Sequence, residues 1–295
     1  MSAFHAGEVS VQRRMGQSEI AERVGRMIRR EIPAAAADFL LDQPMVVLAA
    51  ADDAGRIWAG LVTGPAGFVH ADDDHAIAVD ALPVPGDPLR DVLLRPGRQV
   101  GMIAVQPQTR RRMRVNGLAE PTGAGLRVQP DQVYSNCPKY ISRRHIEDID
   151  AVHHQPIVRS AEAIDTHIAQ VIAAADTFFI GSADAEGNAD ASHRGGNPGF
   201  LQVLSPTRLR WPDYRGNSMF MTLGNISVNP RCGLLLPDWK TGSTIQLTGT
   251  AEIVFDDEPD GTHCAVEFTL DQLIELTAVS PLRWGSAELS PANPA

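Results

Sequence analysis

Apolar and polar positions change their period several times along the chain, and each change marks an element. Residues 18–30 set Ile20, Val24, Met27 and Ile28 at helical spacing, with Ser18 as an N-cap and Pro33 as a stop, which predicts an amphipathic helix. Residues 44–50 are almost wholly apolar and read as a buried strand. Asp52-Asp53-Ala54-Gly55 reads as a hairpin turn, and residues 56–62 return as the next strand. Residues 99–105 and 112–117 read as a further strand pair, as do 232–236 and 243–249, with polar and apolar residues alternating in the second member of each. Residues 160–175 predict a helix, residues 121–150 a strand-plus-helix excursion, and residues 286–295 a fraying tail.

The pattern of the first half recurs in the second. Residues 176–200 again run from an apolar strand through a turn, Asp184-Ala185-Glu186-Gly187, to a second strand and then Asn197-Pro198-Gly199-Phe200. A constant offset of 132 residues relates Gly55 to Gly187, Gly64 to Gly196, Gly67 to Gly199, Gly101 to Gly233 and Gly117 to Gly249. Phe68 and Phe200 keep the same offset, and so do Glu120 and Glu252. Random placement would align about one glycine pair in such windows. Five aligned pairs therefore point to two copies of one β-fold, because glycines at fixed places mark backbone geometry. The expected organisation is an N-terminal helical segment (1–37), a first barrel repeat with its excursion (38–150), a linker helix with the second repeat (151–285) and a tail (286–295).

Composition narrows the function classes. The formal net charge is −10, against the basic face of a nucleic-acid binder. The N-terminus has no apolar signal core, and no apolar run approaches the roughly 20 residues of a membrane span. Three scattered cysteines, Cys137, Cys232 and Cys264, argue against a disulfide framework or a zinc site and fit a cytoplasmic location. His153, His154 and His193 lack a second ligand pair at a recognisable spacing, so no metal is expected.

Candidate chemistry concentrates in the second copy. Ser192, His193 and Arg194 end its second strand, beside Gly195, Gly196 and Asn197. Asn217, Ser218 and Thr222 follow the next strand, and Thr244 and Gln246 lie on a later one. Glycine-flanked amides beside His, Arg, Ser, Thr and Asn side chains are suited to cradling a phosphate. There is neither a GxxxxGK[ST] loop nor a GxGxxG fingerprint.

Residues 211–230, followed by Gly233-Leu234-Leu235-Leu236, Trp239 and residues 244–249, resemble the pyridoxamine 5'-phosphate oxidase-like, FMN-binding split barrels. The order is a strand, a phosphate-binding turn, a short helix ending in Asn229-Pro230, an apolar strand with Trp, and a polar strand ending in Gly249. From Phe4-His5-Ala6-Gly7-Glu8 through Asn136–Tyr140 to Pro281–Trp284, the whole chain resembles a long bacterial subgroup of flavin-binding, oxidase-related proteins. The resemblance implies a mainly β fold with flanking helices, made of two tandem split β-barrels. It also implies FMN as cofactor at the interface of two barrels, a small-molecule substrate or an electron donor such as NAD(P)H, and homodimers as a common state.

Two departures qualify it. Thr222 occupies the position of the oxidase's phosphate-turn lysine, after Phe220 and Met221, and Ser192 falls on or near the second-strand arginine. Pyridoxamine-phosphate oxidation is therefore not expected. In the first copy Arg110, Arg112 and Arg114 share a strand face, which is either a solvated rim or the other half of the phosphate site. The positions matching Ser192, His193 and Arg194 there are Gly60, Leu61 and Val62, which predicts one working site per chain. Two readings stay open: an FMN-dependent oxidoreductase with no identifiable acid or base, or a non-catalytic flavin- or haem-binding module.

Overall fold

The computed structural model describes residues 3–135, 137–150, 155–255 and 264–294. Helices α1 (Ala6–Arg14) and α2 (Ser18–Gly25) precede α3 (Ala34–Leu41). The helix expected over 18–30 stops at Gly25, which packs on the Phe4 ring, with Gln17 at its N-cap position. Beyond it, Arg29 exchanges backbone hydrogen bonds with Val133, which pulls the chain out of the helix and onto a sheet.

The first copy follows as β1 (Met45–Ala51), β2 (Ile57–Thr63), β3 (Val69–Asp73), β4 (Ala76–Val79), α4 (Pro88–Leu93), β5 (Arg98–Gln106), β6 (Arg111–Pro121) and β7 (Leu126–Ser135). Two short strands, β8 (Ile146–Ile149) and β9 (Val158–Ala161), lead to α5 (Thr166–Ala174). The second copy is β10 (Thr177–Ala183), β11 (Ala189–Gly195), β12 (Gln202–Ser205), β13 (Arg208–Asp213), α6 (Met221–Val228), β14 (Arg231–Pro237), β15 (Thr244–Phe255) and β16 (Cys264–Leu276). A last strand, β17 (Leu282–Trp284), pairs with β8.

The two large sheets have one topology. The first runs β2-β1-β5-β6-β7-β4-β3 and the second β11-β10-β14-β15-β16-β13-β12, the same path, to which the second adds β9 beside β16. The register repeats as well: Met45 faces Thr63 where Thr177 faces Gly195, and the β6/β7 slip at Asn116/Gly117 recurs in β15/β16 at Thr248/Gly249. Among the described residues no pairing joins the end strands β2 and β3, or β11 and β12, so each sheet is an open, split barrel. The chain is mainly β, with helices α3 and α5 entering the two copies at the same offset.

Contacts between the copies are reciprocal. The Cβ that a side chain would add at Gly101 falls 2.3 Å from the backbone nitrogen of Ala191, and at Gly233 it falls 2.4 Å from the carbonyl oxygen of Ile57. Ala49 and Gly181, equivalent under the repeat, touch each other. Such an arrangement is an internal pseudo-two-fold, the covalent counterpart of an isologous dimer. It explains why β1 and β10 are buried almost end to end: one face packs into a barrel and the other against the opposite copy. By contrast β7, with one face in water, alternates buried and exposed residues from Leu126 to Asp131.

Two expectations fail. Residues 121–150 hold no helix among those described, because β7 is needed to continue the barrel from β6. The tail does not fray through its described residues: Glu288 pairs with Arg110 and Arg143, the Ser290 hydroxyl accepts from the Tyr140 amide, and Asn293 donates to Asn197.

Candidate functional site

Strand β11, Ala-Asp-Ala-Ser-His-Arg-Gly, is buried along most of its length although four of its seven residues are polar. Buried polar groups need partners, and the partners come from both copies. Asp190 accepts from Arg114, Asn116 (3.0 Å) and Tyr134 (3.2 Å), all on β6 and β7. His193 Nδ1 lies 2.9 Å from Arg112 Nη1, so the ring nitrogen accepts and the guanidinium donates. Burial and the cationic Arg112, Arg194 and Arg144 hold His193 well below the usual imidazole pKa; it is neutral. The Thr222 hydroxyl donates to that of Ser192 (3.0 Å).

Around these groups is a cavity of about 90 Å³ lined by Arg112, Arg114, Ser192, His193, Arg194, Asn217, Ser218 and the first turn of α6. Its sign is positive. Arg112, with no carboxylate in ion-pair range among the described residues, has its pKa pushed down by burial, Arg114 and Arg194 to about 9, and remains cationic at neutral pH. Arg194 lies 3.4 Å from Asp213. The Nε atoms of Arg112, Arg114 and Arg194 are buried and lack hydrogen-bond partners. Helix α6 begins after Phe220, whose left-handed backbone (φ 57°) carries no side-chain cap, so the first-turn amides open toward the cavity lining. Uncapped amides at a helix N-terminus beside Arg112, which has no carboxylate partner among the described residues, suit this lining to an anion.

The pseudo-two-fold supplies a control. At the equivalent place in the first copy, helix α4 is capped by Asp87, whose carboxylate accepts from the Leu89 amide (2.8 Å) and from Gln246 Nε2 (2.9 Å). Burial pushes Asp87 up to about 7. A side chain at Gly60, the equivalent of Ser192, would meet that carboxylate at 2.8 Å. Trp239, Leu282 and Trp284 pack over the rest of this end. The chain's own carboxyl group thus occupies the twin of the anion site.

Of the residues expected at the site, Ser192, His193, Arg194, Asn217, Ser218, Thr222, Arg112 and Arg114 are brought together. Thr244 and Gln246 are not. They are the repeat equivalents of Arg112 and Arg114, so the two-fold carries them to the opposite end, where Gln246 also donates to the Ala59 carbonyl (2.9 Å). Arg110 leaves the strand face in a left-handed turn (φ 54°) and binds the Ile141 carbonyl and Glu288. His153 and His154 lie outside the described residues.

Sequence reasoning passed over Tyr140, Tyr214, Asp213 and Asp190. Tyr140, from the segment after β7, packs against Tyr214 with ring centroids 5.2 Å apart and donates to the Arg215 carbonyl (2.9 Å). These two rings, with Pro212, Asp213, Gly216, Ser218 and Phe220, also border a second cavity of about 870 Å³. The deep cavity is the size of a small anion, whereas its neighbour is the size of a cofactor-scale ligand. A phosphate ester thus fits by its donors at the deep cavity, with its organic part on the side of the tyrosine pair. The readable signal was a polar strand in a position where its repeat mate is apolar.

Residues 164–267 match the family model described as Pyridoxamine 5'-phosphate oxidase, so the second copy is similar to that family. A search of curated proteins found no match. Similar solved structures include the heme storage protein HutZ from Vibrio cholerae (12% identity, 40% of this chain and 96% of that one, TM-score 0.31). A FAD-binding protein from Mesorhizobium loti matches at 14% identity over 41% of this chain and 99% of its own, TM-score 0.31. A Clostridium acetobutylicum protein related to general stress protein 26, of the pyridoxinephosphate oxidase family, matches at 12% over 40% and 89%, TM-score 0.29.

Proposed function

We propose that the chain binds one flavin mononucleotide and serves as a flavin-dependent oxidoreductase acting on a small molecule. The carrying observation is the uncapped start of α6 facing Arg112 and Arg194, against a twin helix start closed by Asp87. The match of residues 164–267 to the family model described as Pyridoxamine 5'-phosphate oxidase, with the resemblance of residues 211–249 to FMN-binding split barrels, supports the same reading.

In this reading Arg112 and Arg194 hold the phosphate, with Ser192, Thr222 and the first amides of α6 completing its coordination. Neutral His193 fixes Arg112 by accepting from it. Asp190 anchors Arg114 behind it as a neutral buried pair. Tyr140 and Tyr214 flank the larger cavity and shield the organic part from water. The flavin, when bound, supplies the electron transfer; the protein supplies position and electrostatics. His193 is committed to Arg112 and so is not free to act as a general base.

The test is mass analysis of whatever small molecule is released from freshly purified protein, with its stoichiometry. One FMN per chain is expected, with an absorbance that bleaches under NAD(P)H. Charge-assisted hydrogen bonds contribute roughly 1.5–3 kcal/mol each and about 1.4 kcal/mol is tenfold in affinity. Arg194→Ala is therefore expected to weaken FMN at least tenfold, and Val62→Ala, its repeat equivalent, to leave affinity unchanged. Two equal sites per chain, or full affinity in the Arg194→Ala protein, would refute the assignment. Stable flavin without turnover would leave a binding module instead of an enzyme.

A further inference from the structure

A third cavity, of about 680 Å³, adjoins the deep one. It lies between the segment from α2 to α3 on one side and the β5–β6 turn with the end of β7 on the other. Its volume is that of a small-molecule site. Five arginines line it, Arg26, Arg29, Arg110, Arg111 and Arg112, and among its described lining residues there is no carboxylate. In a chain of net charge −10 this is a concentration of the minority sign.

Three of the five lack an acidic partner in ion-pair range among the described residues. Arg26 reaches Glu22 at 3.8 Å and Arg110 reaches Glu288 at 3.0 Å. Arg29, Arg111 and Arg112 have no such pair. Arg111 is instead held over the Phe39 ring, 4.9 Å from its centroid. That contact keeps a guanidinium in place without neutralising it. The floor is apolar, formed by Ala36, Phe39, Met113 and Val133. The wall is built into the fold, because Arg29 and Val133 exchange two backbone hydrogen bonds, at 3.1 and 2.7 Å.

The internal repeat shows that the fold does not need these charges. At the same hairpin in the second copy, Gly242, Ser243 and Thr244 stand where the first has Arg110, Arg111 and Arg112, in the same register against the preceding strand. Arg29 and Arg111 are exposed, so water screens much of their repulsion, but no carboxylate among the described residues neutralises them. An anionic occupant would.

We propose that this cleft is a second binding site, for a small organic anion carrying one carboxylate or phosphate on an apolar, ring-sized body. The anion meets Arg29 and Arg111 at the mouth, and the apolar body lies on Phe39 and Met113. The proposal does not rest on the flavin reading, since Arg29 and Arg111 take no part in the deep cavity. Arg112 borders both cavities, so the two ligands would be neighbours.

The test uses 2-naphthoate and its neutral analogue 2-naphthylmethanol, titrated calorimetrically into the full-length protein as purified. Naphthoate should bind saturably, at one per chain, at least tenfold more tightly than the alcohol. The double variant Arg29→Ala/Arg111→Ala should lose that preference while its affinity for inorganic phosphate stays unchanged. If the double variant does not fold, Arg29→Gln, at an exposed position, should lower naphthoate affinity at least threefold. Absence of saturable binding, equal affinity for acid and alcohol, or naphthoate affinity that falls only in Arg194→Ala would overturn the proposal. Because phosphate and naphthoate are read separately, its failure is distinct from failure of the flavin assignment.

Discussion

Glu8→Gln is expected to make the protein more resistant to alkaline pH. Glu8 lies on α1, 3% exposed, where α1 crosses α6 so closely that a side chain at Gly224 would meet the Glu8 Cγ. Its Oε2 accepts from the His5 amide (2.8 Å), a capping box in which the His5 ring accepts in turn from Gly7. With Nδ1 accepting, Nε2 is the donor to Asn225 at 2.9 Å, and it stands farther, 3.7 Å, from the Glu8 carboxylate. Burial therefore dominates and pushes Glu8 from 4.5 to about 8.

A folded-state value above the unfolded one means that the native protein holds the proton more tightly. The contribution of Glu8 is full below pH 4.5 and is lost as pH rises through 8. At about 1.4 kcal/mol per pKa unit, this displacement corresponds to about 5 kcal/mol. Gln keeps the acceptor for His5 and removes the titration. The assay is urea denaturation at intervals from pH 5 to 9 for both proteins. The stability difference should shift toward the variant by at least about 2 kcal/mol across that range, allowing for local relaxation and water entry. Asp87, also raised, titrates in both proteins and cancels in the comparison. Parallel pH profiles for wild type and Glu8→Gln would refute the argument.

Three further outcomes follow from other contacts. Asp190→Ala removes the carboxylate that neutralises buried Arg114 and should cost about 3–5 kcal/mol in denaturant unfolding; a loss below 1 kcal/mol would contradict the buried pairing. Gly101→Val pushes a side chain into the Asp190–Ala191 backbone across the pseudo-two-fold and should cost at least about 1–3 kcal/mol, whereas an unchanged melting temperature would mean that the copies do not pack this way. Thr222→Asp puts a carboxylate at the α6 entrance, as Asp87 does at α4, and should abolish FMN retention during purification while leaving the far-ultraviolet circular dichroism intact.

Much of the fold was legible because two copies reported on one another. The glycine offset of 132 identified turns and the close approaches at Gly101 and Gly233, and both kinds of position are dictated by backbone sterics that a single sequence displays. What failed depended on contacts remote in the chain. Helix α2 stops at Gly25 because the segment beyond it is captured by β7. The tail is held by Arg110, Arg143 and Asn197, partners that no local pattern announces. The site was legible in its residue types and less so in its sides. Listing Thr244 and Gln246 with Arg112 and Arg114 joined two positions that the repeat makes equivalent and the two-fold therefore places apart.

That error exposes the logic of the tandem arrangement. In a symmetric dimer of one barrel, both interface sites must be built from the same residues, and a change that improves one is imposed on the other. Fusion into one chain removes this constraint. Here β6 carries Arg112 and Arg114 where β15 carries Thr244 and Gln246, while β11 carries Ser192, His193 and Arg194 where β2 carries Gly60, Leu61 and Val62. The charged halves of both differences meet at one end of the interface, and the small, apolar or amide halves meet at the other. At the first end the helix start is left open; at the second it is closed by Asp87 and sealed by Trp239 and Trp284. The second end thereby acts as packing, with an apolar cluster in place of a solvated cavity, and it carries interface stability that the charged end gives up. A chain in which one pseudo-equivalent site is rigid and filled can keep the other polar, partly unsatisfied and open to a ligand.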